Sequence, residues 1–258
     1  MNKYKHISIT DFPRLIKNKL KGSKRYFSNV EFKTPSYAVF DVAYEEIFKK
    51  ENYLFNADSN TPLIIDCGAN IGLSVAYFKT IYPQSKIIAY EADKIIFDML
   101  KSNIHMLKYA DVDLRNQAVW IEDTKLDFVS EGGLSGKILK VDDPENDSIT
   151  RVDAIDFANI LVQQVDFLKI DIEGAEVELI KHISPQLSMV KNMFIEYHSY
   201  SSQDQNLSAL LHILEQNKFR YQIKEVFTVD KPYMSGKEFL KERIFDLQLE
   251  IFAYRTSL

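Results

Sequence analysis

The alternation that begins at Thr61 constrains this chain more than any other feature. "PLIID" is a short apolar run suited to a buried strand. "GLSVAYFKTIY" follows it, with Leu73, Ala76, Tyr77 and Ile81 on one helical face, and stops at Pro83. "SKIIAYE" repeats the strand, "KIIFDMLKSNIHMLK" repeats the helix, and "VDLRNQAVW" reads as a third strand. Further on, "AIDFANIL" reads as a short helix, "VDFLKID" as an apolar strand and "GAEVELIKHI" as a helix. "NMFIEY" and "LSALLHILEQN" give one more strand and helix. Units of this kind imply a mostly parallel sheet with helices on both faces, an α/β fold. "FRYQIKEV" and "LQLEIFAY" have no helical pattern between them, so they are expected to pair antiparallel at the edge.

Two stretches stand outside the alternation. Residues 124–152 carry "KLDFVS", "GKILKV" and "DSITRV", separated by Gly132–Gly133 and "DDPEND", and read as a β-hairpin insertion. The first 58 residues read as a helical and extended cap over the sheet, with the α/β domain spanning 59–258.

Composition narrows the function. Lys plus Arg number 32 and Asp plus Glu 37, for a net charge of −5 over 258 residues. A protein that grips nucleic acid by its phosphates is usually basic, so no nucleic-acid partner is expected. Cys67 is the single cysteine, which excludes an internal disulfide and suits a reducing, cytoplasmic setting. No apolar run reaches membrane-spanning length and the N-terminus lacks a signal-peptide core. Residues 3–25 do gather Lys3, Lys5, Arg14, Lys17, Lys19, Lys21, Lys24 and Arg25 against Asp11. That leader is either a solvated segment or a surface for anionic lipid; any membrane contact is expected there alone.

The strand ends carry the chemistry. In "LIIDCGANIGLS" a strand stops at Asp66, and Gly68 and Gly72 lead into a helix, opening a cleft where a ligand approaches the backbone. The spacing D-x-G-x-x-x-G puts Asn70 where a dinucleotide fingerprint needs a glycine, and Asp66 repels phosphate, so a pyrophosphate fits poorly. Glu91, closing "IIAYE", suits the hydroxyls of a ribose. "VDFLKIDIEGAEVELI" delivers Asp171 and Glu173, which suit a base, a polar clamp or a helix cap. "NMFIEYHSY" brings His198 just past a strand end at the same edge.

Taken in order, "IIDCGANIGLSVAYF", "IIAYEAD", "VDFLKIDIEGAEVELI" and "FIEYHSY" resemble the motifs of the FkbM-type S-adenosylmethionine-dependent methyltransferases over about residues 60–200. The resemblance implies the Rossmann-like class I methyltransferase fold, with a seven-stranded sheet whose last strand is reversed. It also implies adenosylmethionine as cofactor and methylation of a hydroxyl, with sugars, glycans and related natural products as acceptors. The cofactor is then expected at Asp66, Gly68, Ala69, Asn70, Gly72, Leu73, Ser74, Glu91, Ala92, Ala118 and Asp171. Gln117 and Val119 would border the adenine, and Ile71 and Leu73 would pack on the rings.

The donor carries an ammonium and a sulfonium but no phosphate, which suits an acid at Asp66. Transfer then asks the protein for in-line positioning and a base. His198, Asp171 and Glu173 are the candidates, with neutral His198 favoured; Glu173, His198 and Tyr44 of the cap are expected to meet the acceptor. Asp171, Glu173 and His198 would suit a divalent metal, but their spacing is no metal signature, and no metal is expected. Two other classes stay open: an NAD-dependent oxidoreductase on a similar fold, and a non-catalytic nucleoside-binding scaffold.

Overall fold

The computed structural model describes residues 24–130, 136–138, 149–200, 203–228 and 245–255. Most of the basic leader lies outside them. Of its residues within them, Lys24 pairs with Glu31 at 2.7 Å, and Arg25 pairs with Asp41 at 2.5 Å. No helix among the described residues is long and apolar enough to cross a membrane.

The chain opens with a two-stranded ribbon, β1 Tyr26–Phe27 and β2 Val30–Glu31. Helix α1 Tyr37–Tyr44 follows and runs on into a π-helical turn, Glu45–Lys49. The alternation then unfolds as β3 Leu63–Cys67, α2 Leu73–Ile81, β4 Lys86–Tyr90, α3 Lys94–Leu107 and β5 Val112–Arg115. It resumes at β10 Val165–Ile170, α4 Glu176–His182, β11 Val190–Tyr200 and α5 Leu207–Gln216. It ends with β12 Arg220–Thr228 and β13 Phe245–Tyr254. These strands form one seven-stranded sheet in the order β12-β13-β11-β10-β3-β4-β5. Only β13 is reversed, antiparallel to both its neighbours. It lies between β11 and β12, so the expected antiparallel pair is present but β12, not β13, is the edge.

Both faces of this sheet are buried, so successive residues point into different cores. Ile65, Leu168 and Ile195 pack with Leu179, Ile180, Leu210 and Leu214 of α4 and α5. Ile64, Phe167 and Phe194 pack with Val75, Phe78, Ile96 and Leu100 of α2 and α3, and with the cap. Tyr53 holds the cap down: its ring sits 5.7 Å from Phe78 and 4.8 Å from Phe194. Asn103, fully buried on α3, donates to the carbonyls of Lys33 and Ile71, each at 2.9 Å, and accepts the Lys33 N–H at 2.7 Å. One side chain thereby joins the cap, α3 and the glycine loop.

The stretch expected as a single third strand breaks at Asn116, whose side chain donates to the Glu91 and Ala92 carbonyls. β6 Ala118–Trp120 leaves the main sheet and joins β7 Thr124–Ser130, β8 Gly136–Ile138 and β9 Ile149–Asp156 in a second sheet of order β6-β9-β7-β8. The insertion is therefore a four-stranded sheet that contains the expected hairpin as β7 against β8, and the expected short helix is a single 3-10 turn, Phe157–Asn159, after β9. Because β3 has β4 on one side and β10 on the other, the strand order reverses at β3. A crevice opens there, beyond the carboxyl ends of β3 and β10.

Candidate active site

The glycine loop is a closed hydrogen-bonded unit. Gly68 and Ala69 both donate to the Tyr90 carbonyl, at 3.0 and 2.9 Å. Asn70 N–H donates to Glu91 Oε2 at 3.0 Å, Ile71 N–H to Asn70 Oδ1 at 2.7 Å, and Gly72 N–H to the Ala69 carbonyl at 2.9 Å. Every N–H from Gly68 to Gly72 is thus used within the fold, and none is left to cradle a phosphate. The case against a pyrophosphate on this loop is strengthened. Gly68 has φ +91°, and a Cβ on it would lie 1.9 Å from the Asp171 carbonyl oxygen. That glycine lets β3 and β10 end side by side.

Sequence reasoning missed Lys169, which holds the loop from beneath. It is 2% exposed on β10, in register with Asp66 of β3. Its Nζ donates to the Gly68 carbonyl at 2.8 Å and to Asp171 Oδ2 at 3.1 Å, and lies 3.5 Å from Asp66 Oδ1. Burial works against its charge, but Asp171 and Asp66 outweigh it and hold its pKa well above the usual lysine value. Asp66 is wholly buried and also accepts the Ser74 hydroxyl at 2.5 Å. It does not face the cleft as expected; it anchors the loop through Lys169 and Ser74. The signal was a lysine two residues after Phe167, on the same core-facing side of the strand.

Between the loop and the cap lies a cleft. Gly68, Ala69, Asn70, Leu73 and Ser74 form one wall, and Val39, Ala43, Glu46, Ile47 and Tyr53 of the cap form the other. Lys169, Asp171 and Glu196 form its floor. Tyr44 is not among the lining residues: its ring stacks between Phe40 and Phe48, at 5.9 and 4.9 Å. The cap aromatic that does reach the cleft is Tyr53. Gly72 faces away, against Leu100 and Ile104.

Glu91 is not among the lining residues; it stands behind the wall, bonded to the Asn70 backbone. Its carboxylate accepts the N–H of Asn70 and, at 2.9 Å, that of Asp93. Burial raises its pKa to about 7, against the lowering effect of those N–H groups. Asp93 caps α3 by accepting from Ile95 and Ile96, so Glu91 is not needed as the helix cap. Ala92 and Ala118 meet beside it in a small apolar cluster with Ile172 and Ala175. Val119 packs into the core beneath.

His198 sits inside β11, paired with Gln248 of β13, and not past a strand end. Its side chain is 2% exposed. Nδ1 meets Glu176 Oε1 at 3.2 Å, and Nε2 lies 3.6 Å from Glu173 Oε2 and 3.8 Å from Glu196 Oε1. Glu176 Oε1 also accepts the N–H groups of Ile172 and Gly174, so it is an acceptor and the imidazole Nδ1 carries a proton. Burial opposes a charged ring, but Glu173, Glu176 and Glu196 outweigh it and hold the pKa well above the ordinary histidine value. A ring so enclosed and so surrounded is not the neutral base expected of it. Glu173 stands at the turn into α4 with φ +56°, followed by Gly174 at φ +100° against the Tyr200 ring. Asp171 and Glu196 are the carboxylates on the cleft floor.

Fold and site together define a class I methyltransferase: the reversed seventh strand, a glycine loop closed to phosphate, and an acid at the second strand end. The methyltransferase FkbM domain model matches residues 66–223, and the chain belongs to that family. It is an S-adenosylmethionine-dependent methyltransferase. Among curated proteins it is 28% identical over 213 residues to methyltransferase sdnD of Sordaria araneosa, covering 65% of this chain and 78% of that one. It is 24% identical over 177 residues to methyltransferase 1 of Beauveria bassiana (strain ARSEF 2860), covering 59% and 71%. Among solved structures, methyltransferase FkbM from Methylobacillus flagellatus KT superposes with a TM-score of 0.51 at 16% identity. That match covers 83% of this chain and 53% of the other, so the chain spans about half of that structure's length and the likeness is one of fold.

The residues fit the cofactor. Asp171 and Glu196 on the cleft would suit a ligand with an ammonium and a sulfonium but no phosphate, to which the amides of Gly68–Gly72 offer no cradle. The cofactor supplies an activated methyl group; the chain supplies orientation and a place for the acceptor's proton.

Proposed function

We propose that the chain transfers the methyl group to a hydroxyl of a sugar, glycan or related natural product. The observation that carries this reading is the composition of the cleft. Its floor presents Asp171 and Glu196, which accept hydrogen bonds from hydroxyls, under a cap wall of Val39, Ala43, Ile47 and Tyr53 suited to an apolar ring face. Glu91 takes the ribose hydroxyls, with Ala92 and Ala118 beside the adenine. Asp171 and Glu196 share the cofactor's amino-acid end and the acceptor. The acceptor proton passes to one of these two carboxylates as the oxygen takes the methyl group and sulfur keeps the electron pair of the broken bond. Glu196 suits that role: burial, reinforced by Asp171, raises its pKa well above the usual carboxylate value, against the lowering effect of His198.

The test is transfer of labelled methyl from adenosylmethionine to a panel of small polyols, glycosides and primary amines. Label in an alkali-stable ether on a hydroxyl acceptor is the expected result. Label confined to the amines overturns the hydroxyl assignment.

A further inference from the structure

We propose that a groove on the outer side of α3, together with the basic leader that enters beside it, docks the protein on an anionic lipid surface. Lys101, His105 and Lys108 rim the groove, and Ile104, Tyr109 and Leu114 line it between α3 and β5. The three rim residues are exposed and stand at i, i+4 and i+7, in one row along the helix and its cap. Neighbouring acids are spent on other partners. Asp98 pairs with Lys94 at 2.5 Å, Glu31 with Lys24 at 2.7 Å and Asp113 with Arg115 at 2.7 Å. Asp111, at the turn into β5, is not among the groove residues. Lys101 and Lys108 make no ion pair among the described residues, nor does the exposed Lys33.

The leader joins the fold at this helix. The ribbon that follows it packs on α3: Phe32 shares a buried cluster with Leu100 and Ile104, and the Lys33 backbone is tied to Asn103. Lys3, Lys5, Arg14, Lys17, Lys19 and Lys21 precede that ribbon, against Asp11. The positive run of the sequence is thereby tethered to the element that carries the lysine-rimmed groove. Sequence reading placed any membrane contact in the leader alone; the groove extends it to the folded domain.

The groove also selects among anionic partners. Its lining is mainly aliphatic, whereas nucleic-acid bases stack on aromatic platforms. A net charge of −5 opposes a long polyanion wrapped around the chain. A flat anionic membrane meets only the positive face. Aliphatic groups beneath a lysine rim suit the boundary between head groups and acyl chains, with the lysines left among the phosphates.

The surface is tested by binding, which needs no knowledge of the methyl acceptor. Full-length protein is sedimented with phosphatidylcholine vesicles, and with vesicles in which about one-third of the lipid is phosphatidylglycerol. Binding to the anionic vesicles alone is expected, and its loss in about 0.5 M salt, where charges are screened within about 5 Å. Lys101→Gln/Lys108→Gln should weaken partitioning about 10- to 30-fold, and Lys17→Gln/Lys19→Gln/Lys21→Gln about 30- to 150-fold. Lys101 and Lys108 do not line the cofactor cleft, so that variant should keep the wild-type rise in Tm with adenosylhomocysteine, which checks its fold. No binding of the wild type to anionic vesicles overturns the proposal. Undiminished binding by the folded Lys101→Gln/Lys108→Gln variant overturns it too, because the leader then acts alone. Single-stranded RNA that binds more tightly than the vesicles at the same salt overturns the choice of lipid.

Discussion

Lys169 and Asp66 were invisible as a pair in the sequence because they are 103 positions apart by number and meet only through strand register. Once β10 lies beside β3, a lysine amid apolar residues becomes a buried counter-charge. Removing one partner of a buried pair leaves the other uncompensated, so Lys169→Met should cost about 3–5 kcal/mol of stability. Urea denaturation of the variant, read beside Lys169→Met/Asp66→Leu, checks this; the double change should recover part of the loss. Glu91 was legible, as an acid closing the second strand, but its protonation was not. With a pKa near 7, it becomes a full acceptor for the ribose hydroxyls only as pH rises through that value. Adenosylhomocysteine affinity should therefore climb through about pH 7 and level off above it, and decline as acid returns the proton. Glu91→Gln should flatten that profile and weaken binding about 10- to 100-fold, as measured by calorimetry across pH. An unchanged profile in the folded variant removes Glu91 from the ribose site.

The elements of the main sheet were legible because apolar runs and helical spacings mark them locally. The misses share a cause: each depended on a partner distant in sequence. β6 looked like the rest of β5 because no glycine or proline separates them; what turns the chain is Asn116 bonding back to the loop after β4. β11 looked finished at Tyr197 because its last residues are polar, yet β13 pairs with it as far as Tyr200. How the segment before β3 is attached to the sheet was not legible. Asn103→Ala should strip three hydrogen bonds from the junction of cap, α3 and glycine loop, costing about 1–3 kcal/mol. It should weaken adenosylhomocysteine binding as well, since Ile71 loses its tether; denaturation and calorimetry on the same sample check both. The glycine loop carries a related expectation. Gly68→Ala should destabilise the fold itself, because the new methyl meets the Asp171 carbonyl. Its Tm should fall even without ligand, whereas a glycine kept only for ligand approach would leave the ligand-free Tm unchanged.

At the scale of the whole molecule, the fold discriminates between nucleotide ligands by what it withholds. Five consecutive amides turned inward leave the loop without the N–H cradle that a pyrophosphate uses. Adenosylhomocysteine at about 100 times its Kd should stabilise the native state by about 2.7 kcal/mol, and so raise Tm by several degrees. NAD at matched concentration should not move it, and a comparable shift with NAD would reopen the dinucleotide reading. The acid-rich cleft floor and the cap wall bear on acceptor choice in the same way, by chemistry rather than by any single residue.

The place of β13 in the sheet has a consequence for the order in which activity is acquired. Gln248, which completes the surroundings of Glu196 and His198, comes from the last strand in sequence. Glu250 on the same strand accepts from Asn52, which lies 198 residues earlier. A growing chain can assemble its glycine loop and the pairing of β3 with β10 well before these residues leave the ribosome. The acidic pocket, by contrast, must wait for a closure that spans most of the polypeptide. Contacts of such long range are slow to form. A nascent chain should thus become competent for the cofactor's nucleoside half before it can carry out transfer. In pulse-labelled hydrogen exchange, the amides around Glu91 should gain protection earlier than those of Glu196–His198.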